Sequence, residues 1–448
     1  MLDLTVGNER NLIFRFALPM LAGNIFQQLY NIVDSVIIGN YLGKEALAAV
    51  GASFPLIFVL ISLIIGLSMG ATIIISQYFG AKEFKQITKT IDTLFIFLFF
   101  TSIIISVVGI IFSGAIFRLI DVPEEVLPLA KSYFNIYIGG IILLFGFNGT
   151  AAVLRGIGDS KTPLYFLIIA TIMNIFLDIL FIRVFNWGVE GAAYATLISQ
   201  GGAFITAVIY LNRTHSIVNF SLIKLKFDKE IFKKSMQIGL PSGMQQTFVA
   251  LGMLALLRIV NIYGTATLAA YTVAGRIDMF AALPAMNFSA ALTTFVGQNI
   301  GAKKIERVKN GFKAALLMTT LISLSVSLLV ILFGKELMGL FTKDPDVILQ
   351  GANYLLIVSS FYVVFSFMFV SNAVLRGAGE TLIPMIITLL ALWIIRLPSS
   401  YLLSLEFQES GIWWGVPAGW IFGAVLSYYF YKKGNWKNKS IISFEPVS

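Results

Sequence analysis

The chain has 448 residues, of which 58% are hydrophobic and only 12% are charged, against roughly 25% charged residues in an ordinary soluble domain. This composition predicts an integral membrane protein. The absence of cysteine and the single histidine, His215, argue against zinc, haem and iron–sulfur sites, and the net charge of +9 is explained by basic loops between apolar segments rather than by nucleic-acid binding.

Twelve segments are long and apolar enough to cross a bilayer as helices, for which about 20 residues are needed. The first is too long to be the apolar region of a cleavable signal peptide, so it is counted as a spanning helix. The pattern predicts an all-α integral membrane protein. The segments lie near residues 12–38, 52–78, 91–117, 129–153, 163–185, 190–211, 237–262, 266–297, 312–334, 349–374, 383–404 and 410–431.

The loops between these segments alternate in charge. Those that follow even-numbered segments are basic, as in Lys82, Lys85 and Lys89, whereas the odd-numbered loops contain few Lys or Arg residues. Because basic loops stay on the cytoplasmic side, we expect both termini in the cytoplasm and the chain in the cell inner (cytoplasmic) membrane.

The two halves of the chain are similar in sequence. A shift of 221 residues aligns VLRGIGDSKTP (153–163) with VLRGAGETLIP (374–384), and FGAK with IGAK. Six segments separate the matches, so the pattern predicts two six-helix bundles of the same topology, related by an axis along the membrane normal. The predicted parts are an N-terminal lobe (1–211), a basic cytoplasmic linker (212–235), a C-terminal lobe (236–431) and a cytoplasmic tail (432–448).

Two such bundles are typical of secondary transporters that work by alternating access. The chain contains no phosphate-binding loop of the type G-x-x-x-x-G-K-[ST], so the energy must come from an ion gradient or a partner. No nucleophile and base pair is evident, and we expect a transporter rather than an enzyme.

Polar residues cluster at particular positions of the apolar segments. In LYNIVDSVIIG (29–39), Asp34 follows Gln27, Tyr30 and Asn31 at helical spacing, and Asn174 precedes Asp178 by one turn in the fifth segment. A carboxylate within the bilayer costs at least ~2.5 kcal/mol and usually marks an ion or proton pathway. If the two Asp residues share a cavity, desolvation and mutual repulsion favour protonation of one of them, although a purely structural, neutral pair is the alternative.

Other polar residues are candidates for a different role. Four residues lie near the predicted outer ends of their segments, where long side chains reach the interface and charges pair, and we expect them to be mainly structural: Arg258, Arg276, Asp278 and Arg396. Asp92 has the position of an interfacial residue. The candidates for lining a substrate cavity are Gln27, Asn31, Asn148, Gln245, Gln246 and Asn372.

The order of these features resembles the multidrug and toxic compound extrusion (MATE) family over essentially the whole chain. The resemblance rests on the two halves, on Leu18-Pro19 and Leu240-Pro241, on the VLRG-x-G loops and on VGQNIGA (296–302). The DinF-like branch implies a cation site in the N-terminal lobe at Asp34, Asn174, Asp178 and Thr196, with Tyr30 one turn before Asp34 and a bend of the first span at Pro19. The NorM-like branch has acidic residues in spans 7 and 10, where this chain has Gln245, Gln246 and the apolar FYVVFSFMFV.

The resemblance implies a cation-coupled antiporter that exports amphiphilic, often cationic, compounds. Protons are the preferred coupling ion; Na⁺ could instead occupy the oxygen ligands of Asp34, Asn174, Asp178 and Thr196. We expect no cofactor besides the coupling ion, membrane lipids and small amphiphilic substrates as partners, and function as a monomer. The alternative is a flippase for lipid-linked oligosaccharides or lipids, which would favour a cavity rich in Arg and Lys, and few of these lie at mid-membrane positions.

Overall fold

The computed structural model describes residues 2–214 and 225–442, apart from the side chain of Leu63. Within these ranges every regular element is helical and no strand occurs. Part of the predicted linker, 215–224 with His215, and the end of the predicted tail, 443–448, lie outside the described residues.

Seven α-helices form the first half. The sixth is extended by a wider π-helical turn, Ile179–Val184. The helices are α1 (Glu9–Leu42), α2 (Lys44–Gly80), α3 (Phe84–Leu119), α4 (Leu127–Gly139), α5 (Ile141–Gly156), α6 (Lys161–Asp178) and α7 (Gly188–Thr214).

Seven more α-helices form the second half, which also contains a π-helical turn, Leu390–Arg396, and a short 3₁₀ helix, Asn435–Asn438. The helices are α8 (Lys229–Asn261), α9 (Thr265–Gly301), α10 (Ile305–Gly339), α11 (Pro345–Ser359), α12 (Tyr362–Gly377), α13 (Leu382–Leu389) and α14 (Leu397–Lys433).

These helices account for the twelve predicted spans. Among the described residues, eight helical segments are long and apolar enough to cross a membrane, and the pairs α4/α5 and α11/α12, bent by 49° and 48°, bring the number to ten. The segment Leu382–Lys433 contains a left-handed residue, Gln408 (φ 52°), which divides it into two spans. The remaining span is α1, whose amide side chains lower its mean hydropathy. The predicted all-α membrane fold is therefore confirmed.

The described helices group into two units that differ from the predicted lobes in two places. Among the described residues, unit 1 consists of Leu2, 22–214 and 225–243, and unit 2 of 3–21 and 244–442. Residues 3–21 thus belong with the second half, and residues 229–243 with the first. The boundaries fall inside α1 and α8, in each case two residues after a proline, Pro19 and Pro241.

Glycine allows two helices of unit 1 to pack with their backbones in contact. A Cβ atom on Gly66 of α2 would lie 2.1 Å from the backbone nitrogen of Gly243 in α8, and one on Gly70 would lie 2.9 Å from that of Gly239. No side chain fits there, so the packing of α2 on α8 depends on these glycines.

The described end of the linker is fixed to α3. The backbone N–H of Lys226 donates to Asp92 Oδ2 (3.3 Å), and that of Asp228 donates to Thr93 Oγ1 (3.1 Å). Lys89 forms an ion pair with Asp228 (3.3 Å). Asp92, predicted to be interfacial, therefore anchors the segment that leads into α8.

The VGQNIGA motif anchors the beginning of the chain within unit 2. Gln298 Oε1 accepts a hydrogen bond from the N–H of Leu4 (3.0 Å), and Asn299 Nδ2 donates to the carbonyl of Leu4 (3.1 Å). Arg307 in α10 pairs with Glu9 at the start of α1 (3.2 Å).

Candidate functional site

The predicted polar face of α1 is present in unit 1. Asp34 lies about two turns before the end of the helix at Leu42, and Tyr30 lies one turn before Asp34. Both side chains are partly buried. The spacing i, i+4 places the phenol and the carboxyl group on one face of the helix, as the sequence predicted.

The last turn of α6 supplies the second carboxyl group. Asn174 and Asp178 lie one turn apart, and they are only 1% and 0% exposed. Immediately after Asp178 the helix widens into the π-helical turn Ile179–Val184. Such turns are rare and occur frequently at functional sites.

Hydrogen bonds connect α1, α6 and α7 at this position. The hydroxyl groups of Tyr30 and Thr196 lie 3.1 Å apart, and Asn174 Nδ2 donates a longer bond of 3.4 Å to Thr196 Oγ1. Thr196 is therefore the residue through which the polar faces of the three helices meet.

The carboxyl groups of Asp34 and Asp178 are in side-chain contact. Apart from this contact, Asp34 Oδ1 and both carboxyl oxygens of Asp178 are buried without a hydrogen-bond donor among the described residues, and so is Asn174 Oδ1. Two carboxylates in contact repel each other strongly unless they share a proton or hold a cation. The arrangement therefore requires a positively charged species or a bound proton.

The oxygen atoms present also fit a small hard cation. All the unpartnered atoms are acceptors on carboxyl or amide groups, which are the ligand types that hard cations prefer. Asp34, Asp178 and Asn174 would provide these ligands, with the hydroxyl group of Thr196 beside them.

Two tyrosines of α4 belong to the site, although they were not among the residues predicted from the sequence. The phenols of Tyr133 and Tyr137 interact electrostatically with Asp34. Their rings lie 6.0 Å apart, one helical turn from each other. In the sequence, their i, i+4 spacing within an apolar segment indicates that the two tyrosines share a helix face. It does not indicate which other helix that face contacts.

A narrow crevice adjoins the carboxyl pair. Almost none of its space, about 190 Å³ including the part open to solvent, is wide enough to hold a water molecule. The crevice therefore does not accommodate a drug molecule in this conformation. Its lining residues are Tyr30, Leu167, Ala170, Thr171, Asn174, Thr196, Ser199 and Gln200.

Three of the predicted cavity-lining amides form hydrogen bonds within their own unit. Asn148 Nδ2 donates to the carbonyl of Leu144 (2.9 Å). Asn372 Oδ1 accepts from Ser427 Oγ (3.1 Å).

The third of these amides, Gln245, is the most highly connected. Gln245 Nε2 donates to Thr388 Oγ1, and Arg376 Nη2 donates to Gln245 Oε1 (3.1 Å). Gln27, Asn31 and Gln246 are half-buried.

Pro19 lies within α1, which is helical from Glu9 to Leu42. A proline removes one backbone hydrogen bond from a helix and weakens that turn. The weakened turn is adjacent to the position where α1 passes from unit 2 to unit 1. This location is compatible with the predicted bend.

Comparison with known proteins gives one consistent result. The MatE family model matches the chain twice, over residues 19–180 and 241–402, which confirms the internal repeat. The chain is 34% identical to a Bacillus subtilis protein named "Probable multidrug resistance protein YpnP" over 97% of each chain. It is 29% identical to "Probable multidrug resistance protein NorM" of Thermotoga maritima, over 99% of this chain and 96% of the relative.

A solved structure shares the whole fold. It is described as the "Outward-facing conformation of a multidrug resistance MATE family transporter of the MOP superfamily". The two chains superpose with a TM-score of 0.90 at 26% identity, over 96% of each chain.

Proposed function

Because the chain belongs to the MATE family of multidrug efflux transporters, we propose that it is a proton-coupled antiporter that exports amphiphilic organic cations. Asp34 and Asp178 together bind the coupling proton. Tyr30, Asn174 and Thr196 position this carboxyl pair.

The contact between the carboxyl groups of Asp34 and Asp178, three of whose oxygen atoms are buried, carries the proposal. Burial and the proximity of a second carboxylate both oppose full ionisation, while the phenols around Asp34 can hydrogen-bond an ionised form. These effects act in opposite directions, so a modest change in the surroundings is enough to load or release a proton. A site of this kind can exchange one proton in each transport cycle.

In the proposed cycle, a cationic drug enters from the cytoplasm or the inner leaflet while the carboxyl pair is deprotonated. The carrier then changes to its outward-open state by alternating access. Protonation from outside releases the drug, and release of that proton to the cytoplasm resets the carrier. The assignment of both termini to the cytoplasm is part of this proposal.

One proton supplies enough energy for useful export. An elementary charge that moves inward releases about 2.3 kcal/mol per 100 mV, which supports roughly a 50-fold concentration ratio. A pH gradient increases this ratio, and outward movement of charge with the drug decreases it. Coupling through one shared proton is therefore energetically adequate.

Sodium is a second candidate for the coupling ion. The observation that favours it is the group of four buried acceptor oxygens, on Asp34, Asp178 and Asn174, that lack a donor. A Na⁺ ion at this position would neutralise the carboxyl pair as a proton does. The same residues would be essential in either case.

The test is drug uptake into inverted vesicles or proteoliposomes with an imposed pH gradient or an imposed Na⁺ gradient. We expect a pH gradient alone to drive uptake by the wild type, and Asp34→Asn to abolish it. Asp121→Asn is the control, because Asp121 is an exposed loop residue with a left-handed backbone (φ 55°) that Asn also tolerates.

If only a Na⁺ gradient drives uptake, the coupling ion is sodium rather than a proton, bound by the same residues. Uptake by Asp34→Asn at the wild-type rate would reject the assignment of Asp34. We further expect the transporter to work as a monomer in the inner membrane, with no cofactor besides the coupling ion.

A further inference from the structure

Unit 2 contains a partly buried carboxyl group that the proposed cycle does not use. Asp278 lies in α9 (Thr265–Gly301), about 20 Å along the helix axis from its first residue. Its Oδ1 atom is buried and has no hydrogen-bond partner among the described residues. The position of Asp278 in the sequence predicts a structural role, but a structural carboxylate is normally satisfied by donors.

The groups that face Asp278 are mainly aromatic. Tyr354 of α11 is 2% exposed and donates a long bond of 3.4 Å to Asp278 Oδ2. Tyr362 of α12 is 3% exposed, and its hydroxyl group faces Asp278 without reaching ordinary hydrogen-bond geometry.

Two further rings close the site. Tyr271, on α9 itself, stacks in parallel with the fully buried Trp413 at 5.9 Å, and Trp413 meets Tyr354 edge-on at 5.1 Å. The carboxyl group thus lies in an environment of low polarity, where the charged form is costly.

One cationic group faces this cluster. Arg396, at the end of the π-helical turn Leu390–Arg396, interacts electrostatically with Asp278, but within the described part of the chain no ion pair of 4.0 Å or less joins them. Arg396 Nε is itself buried without a partner. The charge of Arg396 stabilises the ionised form of Asp278, whereas the aromatic surroundings favour the protonated form. In the protonated form, a hydrogen on Oδ1 could be donated to the hydroxyl group of Tyr362.

The internal repeat gives this cluster a counterpart in unit 1. Tyr354 follows Tyr133 by 221 residues, the same offset that aligns the two VLRG motifs. Both tyrosines lie in the first helix of a bent pair, and each faces a carboxyl group from another helix, Asp34 in unit 1 and Asp278 in unit 2. The acids themselves are not equivalent in the repeat, so the sequence alignment alone does not reveal the relationship.

We propose that Asp278 is a second proton-binding site, which takes up and releases a proton in each transport cycle. The proposal rests on the proposed function, because it adds a proton to the one carried by Asp34 and Asp178. Tyr354 and Tyr362 hydrogen-bond the protonated form, and Arg396 stabilises the ionised form. Two protons then move for each drug molecule exported.

The stoichiometry is measurable in proteoliposomes with the membrane potential clamped at zero. At steady state, each coupled proton contributes about a tenfold accumulation of a monovalent drug cation per unit of pH gradient. We expect about 100-fold for the wild type and for the control Asp346→Asn, whose carboxyl group is exposed in the first turn of α11. We expect about tenfold for Asp278→Asn.

An Asp278→Asn variant that accumulates the drug as strongly as the wild type overturns the proposal. Failure of the wild type to respond to pH at all would instead reject the proposed function, and the present proposal with it. The two failures are distinguishable because only the second affects the wild type.

A second measurement covers the case in which Asp278→Asn does not fold. Infrared difference spectra of the Asp34→Asn/Asp178→Asn double variant should retain a protonated carboxyl band that disappears as the pH rises. Adding Tyr354→Phe should shift this band, because it removes the bond to Oδ2. A double variant without such a band, or a band that Tyr354→Phe leaves in place, overturns the proposal.

Discussion

The hydroxyl groups of Tyr30 and Thr196 lie 3.1 Å apart, although 166 residues separate them in the chain. This bond joins α1 to α7, and Asn174 of α6 donates to the same threonine oxygen. The carboxyl pair of Asp34 and Asp178 lies on the same faces of α1 and α6. Thr196 therefore fixes the relative position of the two helices that carry the proposed proton site.

Thr196→Val should weaken drug export without unfolding the protein. The change removes a hydroxyl group that makes two hydrogen bonds, and a net loss of ~1 kcal/mol corresponds to about a fivefold decrease in pH-driven efflux. Thr196→Ser keeps the hydroxyl group and should retain most of the activity. Equal efflux by the two variants would show that the hydroxyl group has no part in coupling.

Gly66→Val should destabilise the protein, because its Cβ atom would overlap the backbone of Gly243. The larger side chain would force α2 and α8 apart, and overpacking of this kind lowers the free energy of unfolding by ~1 to 3 kcal/mol. Thermal unfolding in detergent measures the effect. The matched control is Gly51→Ala in the same helix, where nothing lies within 4 Å of the added atom, and we expect no loss of stability or a gain of up to ~1 kcal/mol. A Gly66→Val variant as stable as the wild type would contradict the close approach.

Asp228→Ala should destabilise the start of α8 by ~1 kcal/mol. Asp228 Oδ1 accepts the backbone N–H groups of Glu230 and Ile231, both at 3.1 Å, and its side chain is partly exposed beside Lys89. The measurement is hydrogen exchange at the first turn of α8. If the first turn of α8 is as well protected from exchange in Asp228→Ala as in the wild type, Asp228 does not cap the helix.

Asp228 should also make the stability of the protein depend on pH. The hydrogen bond from Ile231 and then the charge of Lys89 hold the pKa of Asp228 below its ordinary value. The stabilisation is therefore fully present above the pKa of the unfolded chain, about 3.9, and is lost as the pH falls through the lower folded value. Asp228→Asn, which can still cap the helix, should remove this acid dependence but keep most of the protection at neutral pH.

Much of the site follows from the sequence. The spacing of Tyr30 and Asp34, and of Asn174 and Asp178, defines helix faces directly, because helical periodicity fixes which residues share a face. The family resemblance added Thr196, which no local pattern distinguishes from other hydroxyl residues in the membrane segments.

The other features of the site depend on which helices pack against each other, and the hydropathy of a segment does not indicate its neighbours. Tyr133 and Tyr137 belong to the site because α4 faces Asp34, and Asp278 is partly buried because Tyr354 of α11 and Tyr362 of α12 face it. The division of α1 and α8 between the two units has the same origin. The bends at α4/α5 and α11/α12 were also missed, since the apolar character of each segment continues across the bend.

Proton release on drug binding tests the central proposal most directly. Purified protein in weakly buffered detergent solution would be mixed with a lipophilic cation such as tetraphenylphosphonium, and the protons released per cation bound would be measured with a pH-sensitive dye. We predict that the wild type releases protons and that the Asp34→Asn/Asp178→Asn double variant releases about one fewer per cation bound. Equal release by the two proteins would contradict the assignment of the coupling proton to this carboxyl pair.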